Sequence, residues 1–248
     1  MATTCRQHRN HQKLDPLLKS NSCLMNPETV TTIQTGYVLL YNVACLGEKE
    51  IWTRGNERTM KLYSINQGSP IKTVNIVENE KIEKVIRLQN WRPSGVCSTS
   101  SGDLQVIMKQ TIEFEDKAEP LYSSGFYNRY ITENRNLDIC VTDCIASPVM
   151  VVNQAGKLRF RYTGHTPASK NKPFNPLGIT TDSQRHILIA GNNNDYVQII
   201  VQDGQFLRYI LAVYGLSYPW GLCRDTNNNL FVAQWGNRQV KKIKYMYC

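Results

Sequence analysis

An all-β chain built from repeated four-stranded units is predicted by three observations. First, the last 75 residues repeat at a spacing of 43 positions: Pro176, Gly178, Asp182, Ile187, Leu188, Ile189, Ala190, Asn194, Val197 and Ile200 return as Pro219, Gly221, Asp225, Leu230, Phe231, Val232, Ala233, Asn237, Val240 and Ile243. Second, the apolar residues of each unit run in short blocks separated by turn chemistry. Ile187 to Ala190, Val197 to Ile199 and Phe206 to Ile210 are divided by Gly191-Asn192-Asn193-Asn194 and by Asp203-Gly204, which reads as a tight hairpin. Third, no stretch sustains helical spacing. Each repeat is therefore a four-stranded meander, a unit that buries its apolar faces only by stacking on its neighbours.

Four strands in about 40 to 45 residues is the size of one β-propeller blade. The register continues upstream through Pro93-Ser94-Gly95-Val96 with Leu104 and Val106. A fourth copy, 48 residues ahead of the one at Pro176, runs from Ile139 and Val141 through Asp143 and Val149 to Gly156, and a fainter fifth holds Ile51, Gly55, Leu62 and Gly68. The stretch Val74 to Ile86 reads as only the outer hairpin of a blade, and a third strand is missing between Met108 and Gln110-Thr111-Ile112. The expectation is a propeller over residues 29–248, nominally six-bladed with two incomplete blades, preceded by a tail over 1–28. The last unit ends after three strands and would leave an edge unpaired. The β-branched segment Val30-Thr31-Thr32-Ile33 is expected to supply the missing outer strand and close the ring.

The phrases Pro176-Leu177-Gly178-Ile179 to Ala190, Asn194 and Val197, with their copy from Pro219 to Val240, resemble NHL repeats. The segments Leu40 to Leu62 and Arg135 to Met246 resemble the C-terminal half of molluscan tripartite-motif proteins that carry an NHL propeller. The resemblance implies a target-binding propeller, the substrate-recognition end of an E3 ubiquitin ligase, with RNA as well as protein among its ligands. No RING finger, B-box or coiled-coil heptad precedes residue 37, so the ligase chemistry itself is not expected here.

Composition fits a globular domain, with 41% hydrophobic residues in 248 positions. No apolar run approaches the roughly 18 residues of a membrane-spanning helix, and Met1 to Leu14 is polar and basic rather than a signal peptide. A cytoplasmic protein is expected, and eight irregularly spaced cysteines agree with a reducing compartment. Cys5, His8, His11 and Cys23 are plausible zinc ligands, but their spacing matches no full finger, and the tail reading is preferred. Cys140 and Cys144 straddle a strand end with no partner pair nearby and read as core thiols, as do Cys97 and Cys223 at equivalent strand positions. No metal or cofactor is expected.

Propellers also carry lactonases and lyases, whose metals need several His or carboxylate ligands from inner strands. Only His165 and His186 lie within the repeats, one in a loop and the other in a turn. Asp182 and Asp225 recur just after the inner strand, where Asx turns explain them. No nucleophile elbow or phosphate loop is present. Catalysis is not expected, nor is a small-molecule substrate.

Charge is lopsided. Residues 1–144 carry 17 Lys and Arg against 16 Asp and Glu, and residues 145–248 carry 12 against 4. This is either an electrostatic footprint for RNA or an acidic protein, or Lys241, Lys242 and Lys244 guarding the edge of the last blade. In a meander, the loop leading into the first strand and the loop joining the second to the third open on one face. Arg54, Arg58, Arg92, Arg135, Asn175, Leu177, Asn193, Tyr218, Trp220, Trp235 and Arg238 are assigned to that face. Aromatic rings beside guanidinium groups suit single-stranded RNA through stacking and phosphate contacts, and equally suit protein interfaces. For Trp220 and Trp235 packing between blades is the alternative. The polar connection Gly164 to Lys172 is long enough to reach over a face, or simply to be solvated.

Overall fold

The computed structural model describes residues 24–67, 70–75, 129–165 and 173–246. Sixteen strands occur among them, and they form four antiparallel sheets of four strands each. The first sheet is β2 (Leu40–Leu46), β3 (Glu50–Gly55), β4 (Thr59–Ser64) and β5 (Pro70–Asn75); the second is β6 (Ile131–Glu133), β7 (Ile139–Thr142), β8 (Val149–Val152) and β9 (Leu158–Tyr162). The third is β10 (Pro176–Thr181), β11 (Ile187–Gly191), β12 (Tyr196–Ile200) and β13 (Phe206–Ile210). The fourth contains β14 (Pro219–Arg224), β15 (Leu230–Gln234) and β16 (Gln239–Met246), and its outer strand is β1 (Leu24–Gln34) from the other end of the chain.

Strand β1 runs antiparallel to β16, with Ile33 opposite Val240 and Thr32 opposite Lys241, so Val30 to Ile33 does supply the outer strand of the last sheet. It reaches beyond that segment, to Leu24 opposite Met246. Thr35 fixes the turn out of β1 by donating from both its amide and its hydroxyl to the Arg238 carbonyl, at 3.1 and 2.7 Å.

The sheets stack face to face in the manner of propeller blades, and the alternation of each strand explains how. Ile187 and Ile189 of β11 enter the core between the second and third sheets, whereas Leu188 and Ala190 enter the core between the third and fourth. In β15, Leu230 and Val232 face that same core, and Phe231 and Ala233 face the first sheet with Ile33, Leu40, Val43 and Ile51. A continuous apolar block such as Ile187 to Ala190 is what a strand buried on both faces requires. The two glycines of the repeat sit where inner strands of neighbouring sheets meet. A Cβ at Gly178 would lie 2.2 Å from the Trp220 carbonyl oxygen, and one at Gly221 would lie 2.7 Å from the Tyr41 carbonyl oxygen.

The turns after β10 and β14 are held as expected. Asp182 Oδ1 accepts from the amides of Gln184 and His186, both at 2.9 Å, and Asp225 Oδ1 accepts from those of Asn227 and Asn229 at 3.0 and 2.8 Å. Lys241, Lys242 and Lys244 do not guard an edge, because β1 covers β16. Lys242 instead turns inward and pairs with Asp225 at 3.3 Å. Val74 and Asn75 belong to β5, the fourth strand of a complete sheet. The repeat at Pro93 to Val106, the missing strand near Met108, the remainder of the 74–86 hairpin, Arg92, Cys5, His8, His11, Cys97 and most of the 164–172 connection lie outside the described residues. So does the structural environment of Cys23.

Tyr63 should make the core between the first and fourth sheets sensitive to alkali. Tyr63 is 1% exposed and donates its hydroxyl to the Thr35 carbonyl. Burial, followed by the nearby Tyr37 and Glu57, pushes its phenol up from 10.0 to about 12. A folded-state value above the unfolded one means stability that is complete below the unfolded value and is lost as pH rises through the folded one. Urea midpoints should therefore fall between pH 10 and about 12. Tyr63→Phe should lower stability at neutral pH and flatten this fall; an unchanged alkaline profile in that variant would remove Tyr63 from the explanation.

Candidate functional site

Register defines two ends of the stack. Inner strands β2, β10 and β14 begin at the end where β3, β11 and β15 finish, because Leu40 pairs with Gly55, Pro176 with Gly191 and Pro219 with Gln234. Asn175, Asn193, Tyr218, Trp220, Trp235, Arg238, Arg54 and Arg58 all lie at or beside this end. Leu177 shares it but is only 4% exposed, packed in the core between the second and third sheets.

Arg135 is a correction. The three-residue strand β6 precedes it, so Arg135 falls in the β6–β7 turn at the opposite end, where Asn134 takes the turn position held elsewhere by Asp182 and Asp225. Ile131-Thr132-Glu133 is too short and too weakly alternating to announce a strand, and without it the turn is mistaken for the loop that leads into one.

The aromatic residues form a continuous group across the first and fourth sheets. Trp220 packs on Tyr41 with ring centroids 5.5 Å apart and stacks against Trp235 at 6.1 Å with planes 22° apart; Tyr218 meets Trp235 edge-on at 6.1 Å. Packing and exposure coexist here. Both tryptophans are half-buried and Trp220 also touches the core between the second and third sheets, while Tyr218 remains 42% exposed. Tyr41 was not anticipated as a site residue, although the repeat contains the signal: Leu40 occupies the Pro219 position, which places Tyr41 where the fourth sheet has Trp220.

Backbone contacts fix this rim. Tyr218 holds a positive φ of 44°, an uncommon state for a bulky residue. Its amide donates to Asp195 Oδ1 at 2.7 Å and its carbonyl accepts from the Trp235 amide at 3.1 Å, so the third and fourth sheets jointly hold the ring outward. Asp195 and Arg238, each the last residue before its strand, share left-handed φ values of 55° and 59°. The Asn192 amide donates to the Asn175 carbonyl at 3.2 Å, and Asn193 sits half-buried in the same turn.

Arg54, Arg58 and Arg238 are exposed at the same end of the stack. Nearby, Tyr130 is 4% exposed and its hydroxyl donates to the Tyr41 carbonyl at 3.5 Å. Burial raises its phenol strongly, while Trp220 and the Arg54 charge act the other way. Arg129 faces Asp143 at 3.7 Å, and both are buried.

The opposite end is knit together rather than open. Arg159 binds Asp138 of its own sheet and Asp203 of the third sheet, and these two carboxylates raise its guanidinium value. Asp182 Oδ2 meets His186 Nδ1 at 2.8 Å and accepts from the Tyr245 hydroxyl at 3.4 Å. Ser183, Gln184, Arg185, His186, Gln202 and Asp203 line a shallow cavity of about 400 Å³ there. Cys140 is fully buried in β7, with burial raising its thiol from 9.0 to about 12, and burial also raises Cys144. Among the described residues, no three His, Cys, Asp or Glu side chains come together as metal donors, and no helix is long and apolar enough to cross a membrane.

The fold and the rim together describe a β-propeller with an aromatic and cationic end. No family model matches the chain, and no curated protein matches it. Among solved structures it is similar to a streptogramin B lyase at a TM-score of 0.43 and 16% identity, over 90% of this chain and 71% of the other. It is also similar to a catalytically inactive virginiamycin B lyase from Staphylococcus aureus with quinupristin, at a TM-score of 0.43 and 14% identity over 88% and 73% of the two chains. A third likeness is the WD40 β-propeller domain of Doa1, at a TM-score of 0.38 and 12% identity over 83% and 50%.

Proposed function

We propose that this chain is a non-catalytic recognition module, an NHL-type propeller of nominally six blades that binds protein targets in the cytoplasm as the substrate-recognition end of a tripartite-motif ubiquitin ligase does. One observation carries the reading: Tyr41, Trp220, Trp235 and Tyr218 form a connected aromatic group at the end of the stack where Arg54, Arg58 and Arg238 are exposed. Tyr, Trp and Arg are enriched among the residues that dominate the energetics of protein interfaces, and Tyr and Trp bury large area with only two side-chain torsions. The rim is held by backbone hydrogen bonds, so little ordering cost falls on binding. Single-stranded RNA is the second reading, favoured by the exposed Tyr218 ring at an end of the stack that also exposes arginines.

The test is parallel selection of a displayed peptide library and a randomised single-stranded RNA pool on the purified chain at two salt concentrations. Peptide enrichment is expected, with Tyr218→Asn and Arg54→Ala together weakening it about 30-fold, the scale of one interface hot spot. Asn tolerates the left-handed backbone at position 218, so the variant should keep its fold. RNA enrichment that falls steeply with salt would install the second reading. No enrichment of either by a folded chain would overturn both.

A further inference from the structure

We propose that Cys45 and Cys223 are a modification site, a reversible disulfide that joins the first sheet to the fourth across the seam where the two ends of the repeat array meet. Cys45 lies on β2 and Cys223 on β14, inner strands packed side by side at that seam. Both are free thiols in the same apolar cluster, and their side chains are in hydrogen-bond contact. The backbones approach closely just before the pair: a Cβ on Gly221 would lie 2.7 Å from Asn42 Cα.

Register gives the pair its meaning. Cys45 pairs with Ile51, Thr181 with Ile187 and Arg224 with Leu230, so Cys45, Thr181 and Arg224 hold equivalent positions on their inner strands. The latter two each stitch their sheet to the previous one: Arg224 Nε donates to the Thr181 carbonyl at 2.8 Å, and Thr181 Oγ1 donates to the Glu133 carbonyl at 3.2 Å. At the seam between the fourth and first sheets the stitching side chain is a thiol, and it meets another thiol.

The chemistry is exchange with a small disulfide such as oxidised glutathione. One cysteine loses its proton to water and its thiolate attacks a glutathione sulfur; the glutathione S–S bond breaks and the departing thiolate takes up a proton. The second cysteine then attacks the mixed disulfide and releases the second glutathione. Two protein thiols are oxidised, one glutathione disulfide is reduced to two thiols, and the protons balance. Burial and the neighbouring Cys45 thiol raise Cys223 well above its ordinary value, so exchange is slow at neutral pH and faster in mild alkali. Cys45 keeps 9% of its surface and Cys223 is half-buried, so attack on glutathione requires a local opening of the seam.

The native full chain would be incubated with oxidised glutathione, its remaining thiols blocked, and the digest mapped by mass spectrometry without reduction. The expected result is a peptide pair linking Cys45 to Cys223 that reductant dissolves, together with a higher urea midpoint in the oxidised chain. Cys45→Ser and, separately, Cys223→Ala should lose both effects. Because the mapping is done on the wild-type chain, misfolding of either variant would not spare the proposal. Cys45 and Cys223 recovered as free thiols, as separate glutathione adducts, or joined only to other cysteines would overturn it.

Discussion

Asp225→Ala should lower the stability of the chain by about 3 kcal/mol, the scale for removing one partner of a buried, hydrogen-bonded ion pair. The carboxylate is 2% exposed. Its Oδ1 accepts from the amides of Asn227 and Asn229, its Oδ2 accepts from Asn229 Nδ2 at 2.8 Å, and Lys242 Nζ lies 3.3 Å from the same oxygen. Alanine would leave these donors short of an acceptor and Lys242, whose side chain is 14% exposed, without its counter-charge. Asp225→Asn should cost far less, because an amide oxygen still accepts at the turn. The second sheet carries an asparagine, Asn134, at the equivalent position and still closes the turn through the backbone, the Asn134 amide donating to the Asp138 carbonyl at 2.8 Å. Urea unfolding of the three chains separates the effects. Equal losses for alanine and asparagine would mean that the Lys242 charge, and not the turn, sets the cost.

Much of this architecture was legible because a repeat constrains residues in concert. Register carried from Pro176–Ile200 to Pro219–Ile243 fixed strand order, turn positions and the alternation that sends Leu188 and Ile189 into different cores. It also revealed that the last sheet lacked an outer strand. What escaped was whatever the repeat does not encode. β6 has three residues and one buried side chain, too little for a period to register, and its omission moved Arg135 to the wrong end. Lys242 reads as a surface lysine until Asp225 is placed beneath it. Cys45 and Cys223 sit in different sheets at non-equivalent positions, so no spacing in the sequence could pair them. The end at which Tyr218, Trp220, Trp235 and Arg238 lie was legible from the repeat, but the connection of the rings through Tyr41 required the packing of β2 against β14.

The strand that completes the fourth sheet supports the other large effect. Ile33→Asp should destabilise the chain by about 3 to 5 kcal/mol, whereas Thr32→Asp should stay within about 0.5 kcal/mol of wild type. The two positions are adjacent on β1, and alternation sends them to opposite faces. Ile33 is 1% exposed, opposite Val240, in the core that holds Phe231, Ala233, Leu40 and Ile51. A carboxylate there has no partner among the apolar residues of that cluster. Thr32 is exposed opposite Lys241, where an aspartate gains a cross-strand charge pair. The loss at Ile33 should spread beyond β1. That same core contains Tyr63, whose hydroxyl binds the carbonyl of Thr35 just after the strand, so loosening β1 also removes one of the contacts that hold the first sheet to the fourth. Hydrogen exchange should therefore show lost protection in β2 and β3 as well as in β16 for Ile33→Asp. Loss confined to β1 and β16 would mean that the first sheet keeps its own stability, and that β1 serves as an edge cover and not as the link between the ends of the chain.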